Sequence, residues 1–392
     1  MPDDRDRHHP DDQALNRFWN ELVRPTGDPD AAAAGLDPDL AETVRRLRAL
    51  AKTPPPVSAR ERARRGLTEQ FDTHRAGKET SMLQSATLTL PVEPGPDARP
   101  NRPARVMPAV GRHRQDWRRA MKSRKVTGGG GAQLHVVEAG NPRGRPIVFI
   151  HGFSQCGLAW SRQLRSDLAD DYRLVALDLR GHGLSDKPRD GYADSKLWAD
   201  DVHAAIRDLR LDHPVLCGWS YGPLVILDYL RHYGEDGIGG IHFVDAITKL
   251  GSEAALSVLT PEFLGLVPGF FATDAEQSVR SLEALLRLCF AREPAAEELY
   301  LMLGYNVVVP PHVRQALLSR SFDNDDLLPT IRTPALLTHG AEDAVVTPAV
   351  VDQHKAGMGH AQVRVMANAG HAPFWDDAAT FNQHVRAFCE SL

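Results

Sequence analysis

Residues 214–222 read Pro214-Val-Leu-Cys-Gly218-Trp219-Ser220-Tyr221-Gly222, and an apolar run from Val225 to Tyr233 follows. Pro214 to Trp219 has the length and composition of a strand buried on both faces. The segment from Val225 to Tyr233 predicts a helix. Gly-x-Ser-x-Gly therefore falls on a strand-to-helix turn, the context in which this pattern exposes a nucleophile. The reason is steric. A serine on so sharp a turn adopts strained backbone angles, and its neighbours inside the turn, Gly218 and Gly222, must be nearly without side chain. The helix that opens beneath Ser220 offers free N–H groups and the positive end of its dipole.

On either side of this turn the chain alternates between strand and helix patterns. Gln133–Glu138 alternates apolar and polar residues, as a half-exposed strand does, after a turn at Gly128–Gly131. Short apolar runs follow at Pro146–Ile150, Arg173–Asp178, Ile241–Asp245, Ala335–Thr338 and Val363–Met366, with helical spacing around Leu197–Leu209. Such alternation implies a mostly parallel sheet with helices on both faces. Between Asp245 and Thr333 lie more than 80 residues, too many for a loop. They hold apolar clusters at 263–271, 282–290, 299–303 and 307–309. This interval, about residues 247–332, reads as a mostly helical cap with an apolar underside.

Further motifs sit at predicted strand ends. His151-Gly152-Phe153-Ser154 follows the strand at 146–150. Asp178-Leu-Arg180-Gly-His182-Gly183 closes the next. Gly340-Ala-Glu342-Asp343 and Ala369-Gly370-His371-Ala-Pro-Phe374 follow the last two. An unactivated serine is a poor nucleophile at neutral pH and needs a base and an orienting acid. Together these motifs resemble the α/β-hydrolase superfamily over about residues 124–392, and in particular bacterial esterases and cofactor-free chloroperoxidase-like hydrolases. The resemblance implies an α/β-hydrolase fold in which Ser220 is the nucleophile, His371 the base and Asp343 the acid. It further implies an oxyanion hole from the backbone N–H groups of Phe153 and Tyr221, a loop shaped by His151 and Gly152, and no metal or organic cofactor. The dehalogenases and epoxide hydrolases of this superfamily carry Asp where Ser220 stands, which argues against both activities.

Alternatives stand beside several of these assignments. Asp343 has a helix N-cap as its lesser reading, and the adjacent Glu342 could be mistaken for it. Asp245, at the end of the strand before the cap, is the second candidate acid. His182 reads as structural, with Asp178 and Arg180 tying its loop. Cys156 reads as a small buried filler rather than a pocket residue, and Cys217 as packing. Trp219 and Phe374 are expected to wall the substrate pocket, while Trp375 is as easily packing.

The whole chain of 392 residues carries a net charge of −5, which argues against a dedicated nucleic-acid binder. Its four cysteines are far apart and form no metal or disulfide pattern. No apolar run is long enough to span a membrane, and the charged start is not a secretory signal as written, so a cytoplasmic protein is expected. Charge shifts near residue 125: residues 1–125 hold 24 Lys and Arg against 18 Asp and Glu, while residues 126–392 are net −11. The head, residues 1–123, reads as a largely disordered Arg- and Pro-rich extension with short helices at Leu15–Leu22 and Leu36–Leu47 and a linker near 90–110. Docking of an unknown partner is its other reading. The expected activity is hydrolysis of a small-molecule carboxylic ester or similar acyl compound through an acyl-enzyme on Ser220. Alternatives are perhydrolysis or cofactor-free haloperoxidation on the same residues, hydrolysis of a C–C bond, lactone or amide, and a hydrolase fold kept for ligand binding.

Overall fold

The computed structural model describes residues 121–392; the expected head helices and linker lie outside them. Eight strands form one sheet: β1 (Lys122–Thr127), β2 (Gln133–Gly140), β3 (Pro146–Ile150), β4 (Arg173–Leu177), β5 (Val215–Trp219), β6 (Gly240–Val244), β7 (Ala335–Gly340) and β8 (Gln362–Met366). Their spatial order is β1-β2-β4-β3-β5-β6-β7-β8. β2 runs antiparallel to both β1 and β4, and every other pairing is parallel. This is the mostly parallel α/β sheet that the alternating pattern implies.

The helices are α1 (Ser161–Leu164), α2 (Leu168–Asp171), α3 (Ser195–Asp208), α4 (Gly222–Tyr233), α5 (Glu253–Leu256), α6 (Pro261–Phe270), α7 (Ala275–Leu288), α8 (Ala296–Val307), α9 (Pro311–Leu318), α10 (Val350–Gly357), α11 (Pro373–Asp376) and α12 (Ala378–Glu390). α3 packs on α4, and α12 packs on α1 and α11. The five helices α5–α9 fill the long interval between β6 and β7.

Every residue of β3, β5, β6 and β7 is buried. That is why these strands read as continuous apolar runs rather than as alternations. The sheet edges differ. β8 exposes Gln362, Arg364 and Val365. β1 exposes Lys122, Arg124 and Lys125 and buries only Val126. Charged residues along an edge discourage pairing with another chain. They also erase any hydrophobic period, so β1 leaves no strand signal in the sequence. It begins at Lys122, two residues before the expected start of the body.

The parallel strands point their C-terminal ends the same way. The loops after β3, β4, β5, β6, β7 and β8 thus collect residues 151–156, 178–183, Ser220, Asp245, Asp343 and His371 at one end of the sheet. In open α/β sheets this end is where ligands bind. No helix among the described residues is long and apolar enough to cross a membrane.

The core also buries histidines. His242, in the middle of β6, stacks on Phe381 and holds a 2.8 Å hydrogen bond between Nε2 and the Thr338 hydroxyl. Burial pushes its pKa down to about 3 from an ordinary 6.5. Below pH 6.5 the unfolded chain binds a proton at His242 that the folded chain refuses, so this group removes stability as pH falls from 6.5 toward 3. His242→Gln abolishes that term. The stability difference between native protein and variant, measured by urea unfolding at pH 7.5, 6.0 and 5.0, is expected to move in the variant's favour by about 1.4 kcal/mol per pH unit below 6.5.

Candidate functional site

Ser220 sits between β5 and α4 with φ +58, in the left-handed region that side-chain-bearing residues rarely adopt. The strain is locked in from both sides. The Ser220 N–H donates to Val244 O at 2.9 Å, and its carbonyl accepts from Ile247 N at 3.1 Å. Gly222 shows why the second glycine is needed: a Cβ there would lie 2.6 Å from Ile150 O. At Gly218 a Cβ would meet the backbone of Gly222 and Pro223 at 2.8 Å, and at Gly152 it would press the Ser220 Cβ at 3.0 Å. Strand β3 and helix α4 therefore approach as closely as backbones can, and Ser220 is forced outward.

His371 Nε2 lies 2.9 Å from Ser220 Oγ, and His371 Nδ1 lies 2.7 Å from Asp343 Oδ2. The other Asp343 oxygen accepts the N–H groups of Val345 at 2.8 Å and Val346 at 2.9 Å. Asp343 is buried, which alone would raise its pKa; His371, His339 and their hydrogen bonds outweigh this and hold the carboxyl well below the usual range. The chain of contacts Ser220–His371–Asp343 thus has a base within reach of a hydroxyl and an ionised acid behind it. It satisfies the geometric requirement for an activated nucleophile.

The His371 loop is anchored by groups that sequence patterns do not reveal. The Trp219 indole N–H donates to His371 O at 2.6 Å. The Asp376 carboxylate accepts from Gly370 N at 2.8 Å and from Ala291 N in the cap at 3.0 Å. The backbone N–H groups of Phe153 and Tyr221 have no hydrogen-bond partner among the described residues. Two free donors at the mouth of a site are what a developing oxyanion requires.

The neighbouring motifs are structural in geometry. His151 donates from Nδ1 to Gly152 O at 2.8 Å, and its Nε2 accepts Leu179 N–H at 3.0 Å, which defines a neutral ring. Burial pushes its pKa down to about 4. His182 hydrogen-bonds to Arg180 O at 2.9 Å and is pushed down to about 3 by burial. Asp178 accepts from Gly157 N, Leu184 N and His135 Nδ1, and Arg180 grips Asp201 in a buried bidentate pair at 2.7 Å. These contacts tie the loop after β4, as its motif suggests.

A cleft opens over Ser220. Phe153, Trp219, Tyr221 and His371 line it from the sheet side, and Leu259, Phe263, Leu285 and Cys289 from the cap. No Lys, Arg, Asp or Glu lines it. Phe374 departs from expectation. It lies outside this lining, packed between Trp160, Trp219 and Phe381 at 4.2, 4.9 and 5.9 Å between ring centroids. Its Pro373-Phe-Trp-Asp376 turn aims the ring into the core, so it supports Trp219 from behind. Cys156 is likewise buried outside the lining. The cap clusters divide too: Phe263, Leu285 and Cys289 reach the cleft, whereas Tyr300, Leu301, Val307 and Val308 face outward.

Asp245, His339 and Asp343 bring potential metal-ligating atoms within 4.8 Å of one another. Each already spends one atom inside the protein: His339 Nε2 donates to Val346 O, Asp343 Oδ2 holds His371 Nδ1, and Asp245 Oδ1 accepts Gly340 N–H. The donor set fits a polar core behind His371 better than an open cation site.

Residues 147–384 match the alpha/beta hydrolase family. The chain is 27% identical over 269 residues to the AB hydrolase superfamily protein YisY of Bacillus subtilis, covering 66% of this chain and 96% of that one. It is 26% identical over 260 residues to the bifunctional esterase/perhydrolase DCH of Acinetobacter calcoaceticus, covering 64% and 94%. The crystal structure of the esterase RhEst1 from Rhodococcus sp. ECU1013 superposes with a TM-score of 0.66 at 35% identity, covering 69% of this chain and all of that one. Sheet order, strand-end loops and sequence agree, and the chain belongs to the alpha/beta hydrolase family.

Proposed function

We propose that this hydrolase cleaves small carboxylic esters through an acyl-enzyme on Ser220. The observation that carries the reading is the continuous hydrogen-bonded path from Ser220 Oγ through His371 to Asp343, beside two unengaged backbone donors. In the first half-reaction His371 Nε2 takes the Ser220 proton as Oγ attacks the ester carbonyl. Asp343 holds the ring by its Nδ1–H and stabilises the imidazolium. The N–H groups of Phe153 and Tyr221 receive the oxyanion. His371 then returns the proton to the departing alcohol. In the second half-reaction His371 activates water, which attacks the acyl-enzyme and frees Ser220.

The lining of the cleft sets the substrate class. With no Lys, Arg, Asp or Glu around it, a substrate carboxylate or ammonium would be desolvated without a partner. Neutral esters with compact apolar acyl groups suit it best. Perhydrolysis is the second reading, favoured by the likeness to the bifunctional esterase/perhydrolase; there hydrogen peroxide replaces water against the same acyl-enzyme.

A fluorophosphonate probe is expected to label Ser220 in the purified protein, as read by peptide mapping, and to label neither Ser220→Ala nor His371→Ala. Labelling at another serine, or none in folded native protein, contradicts the reading. Asp343→Asn is expected to lower kcat on the order of a thousandfold or more with little change in KM, because the ring loses its orienting acceptor. In a panel of p-nitrophenyl esters, acetate and butyrate are expected to exceed the succinate half-ester by at least about tenfold in kcat/KM, since one unpaired buried charge costs more than 1.4 kcal/mol. Faster release of peracid than of acid, with acetate ester and peroxide present, would move the assignment to perhydrolase.

A further inference from the structure

Behind His371 lie two carboxyl groups rather than one. Asp245, at the end of β6, is fully buried and held with φ +43. Its N–H donates to Thr338 O at 2.9 Å, and its Oδ1 accepts Gly340 N–H at 2.8 Å. Its Oδ2 is different. It is buried, and no N–H or O–H of another described residue reaches it. A carboxyl oxygen of Asp245 instead lies within 4.8 Å of one of Asp343, itself a pure acceptor while ionised.

Two carboxylates this close, shielded from water, do not both carry charge. The surroundings decide which one keeps it. Asp343 has the His371 Nδ1–H, two backbone N–H groups and His339 Nε2 at 3.3 Å. Asp245 has one backbone N–H, and the nearest cation-forming atom, His339 Nδ1, stands 3.6 Å from its Oδ1, beyond hydrogen-bond range. The other titratable groups acting on Asp245 or acted on by it are Asp376 of α11 and Cys289 at the end of α7, neither of which favours a negative charge there. A proton on Oδ2 satisfies the orphan atom and removes the repulsion in one step.

We propose that Asp245 is a positioning residue, a neutral carboxylic acid that donates its O–H to the Asp343 carboxylate and holds it in line with His371. Burial and the Asp343 charge both push the Asp245 carboxyl well above the usual range, in the same direction as the geometry. The proton stays on Asp245 through turnover. The residue touches neither substrate nor Ser220 and acts only through Asp343. This role rests on the serine-hydrolase reading given above, but its defining feature, a protonated carboxyl at neutral pH, does not.

Two measurements test it. Infrared difference spectra of the native full-length protein against Asp245→Asn at pH 7.5 are expected to show a carboxylic-acid C=O band in the native protein that the variant lacks. Absence of that band overturns the proposal, whether or not the protein hydrolyses esters. The second measurement is kinetic, with p-nitrophenyl acetate. Asp245→Asn keeps both contacts, an amide oxygen for Gly340 N–H and an amide N–H for Asp343. It is expected to retain kcat within about threefold and the native pH profile. Asp245→Ala keeps neither and is expected to lose kcat by at least tenfold at unchanged KM, with the acid limb of kcat/KM displaced. A loss in Asp245→Asn as deep as that in Asp343→Asn would mean that a charge at 245 is required, and would overturn the proposal. An infrared band without esterase activity would leave the neutral carboxyl established and count against the hydrolase reading alone.

Discussion

The backbone of Ser220 is the constraint on which the site depends. Holding a non-glycine residue at φ +58 costs on the order of 1–3 kcal/mol, and the surroundings must over-determine it. They do so from three strands. β3 presses on Gly222 through Ile150 O, β5 delivers the chain, and β6 takes the Ser220 N–H through Val244 O. The arrangement also explains why Tyr221 N–H remains open. The amide before it is spent on β6, and the helix that starts after it has no earlier carbonyl to offer. Strain, exposure of the hydroxyl and the free donor are consequences of one turn.

Rigidity at the serine would serve nothing if the base moved. His371 lies on a loop, yet its position is fixed by groups from several elements. Trp219, beside the serine itself, holds the His371 carbonyl, and Asp376 pins Gly370 to the cap at Ala291. Gly340 permits the last approach, since a Cβ there would fall 2.0 Å from Gly370 O. The loop after β7, which carries Asp343, and the loop that carries His371 are thereby pressed together. Cap and sheet are coupled through the same residues, so displacement of the cap at Ala291 would be felt at His371.

Much of this was legible in residue order, and the exceptions share a cause. Short runs such as Pro146–Ile150 and Ile241–Val244 announce buried parallel strands because both faces are apolar. Gly218, Ser220 and Gly222 announce the turn because only those residue types fit it. The strand at Lys122–Thr127 was invisible because its exposed charges carry no period. Phe374 was misplaced for a related reason: proximity in sequence to His371 says nothing about which way a ring points. Here the turn that begins at Pro373 directs it onto Trp160 and Trp219. Backbone donors such as Val345 N–H have no side-chain signature, so the support of Asp343 could not be read from residue types.

Asp245 shows the same limit from the other side. From sequence it is a rival to Asp343 for one role, since both end a strand near the same histidine. In three dimensions the rivalry dissolves, because the two carboxyls lie side by side and their environments are unequal. Two backbone N–H groups and the rings of His371 and His339 converge on Asp343; one donor converges on Asp245. Unequal solvation by fixed dipoles is enough to assign the charge to one and the proton to the other. An acid that is ionised and also receives a hydrogen bond has fewer ways to rotate off the imidazole. The β6 and β7 strand ends then behave as one unit, with Gly340 N–H bridging back to Asp245 and the Asp343 turn held above it. The precision of the His371–Asp343 contact is in this sense a property of the sheet, transmitted through a buried proton.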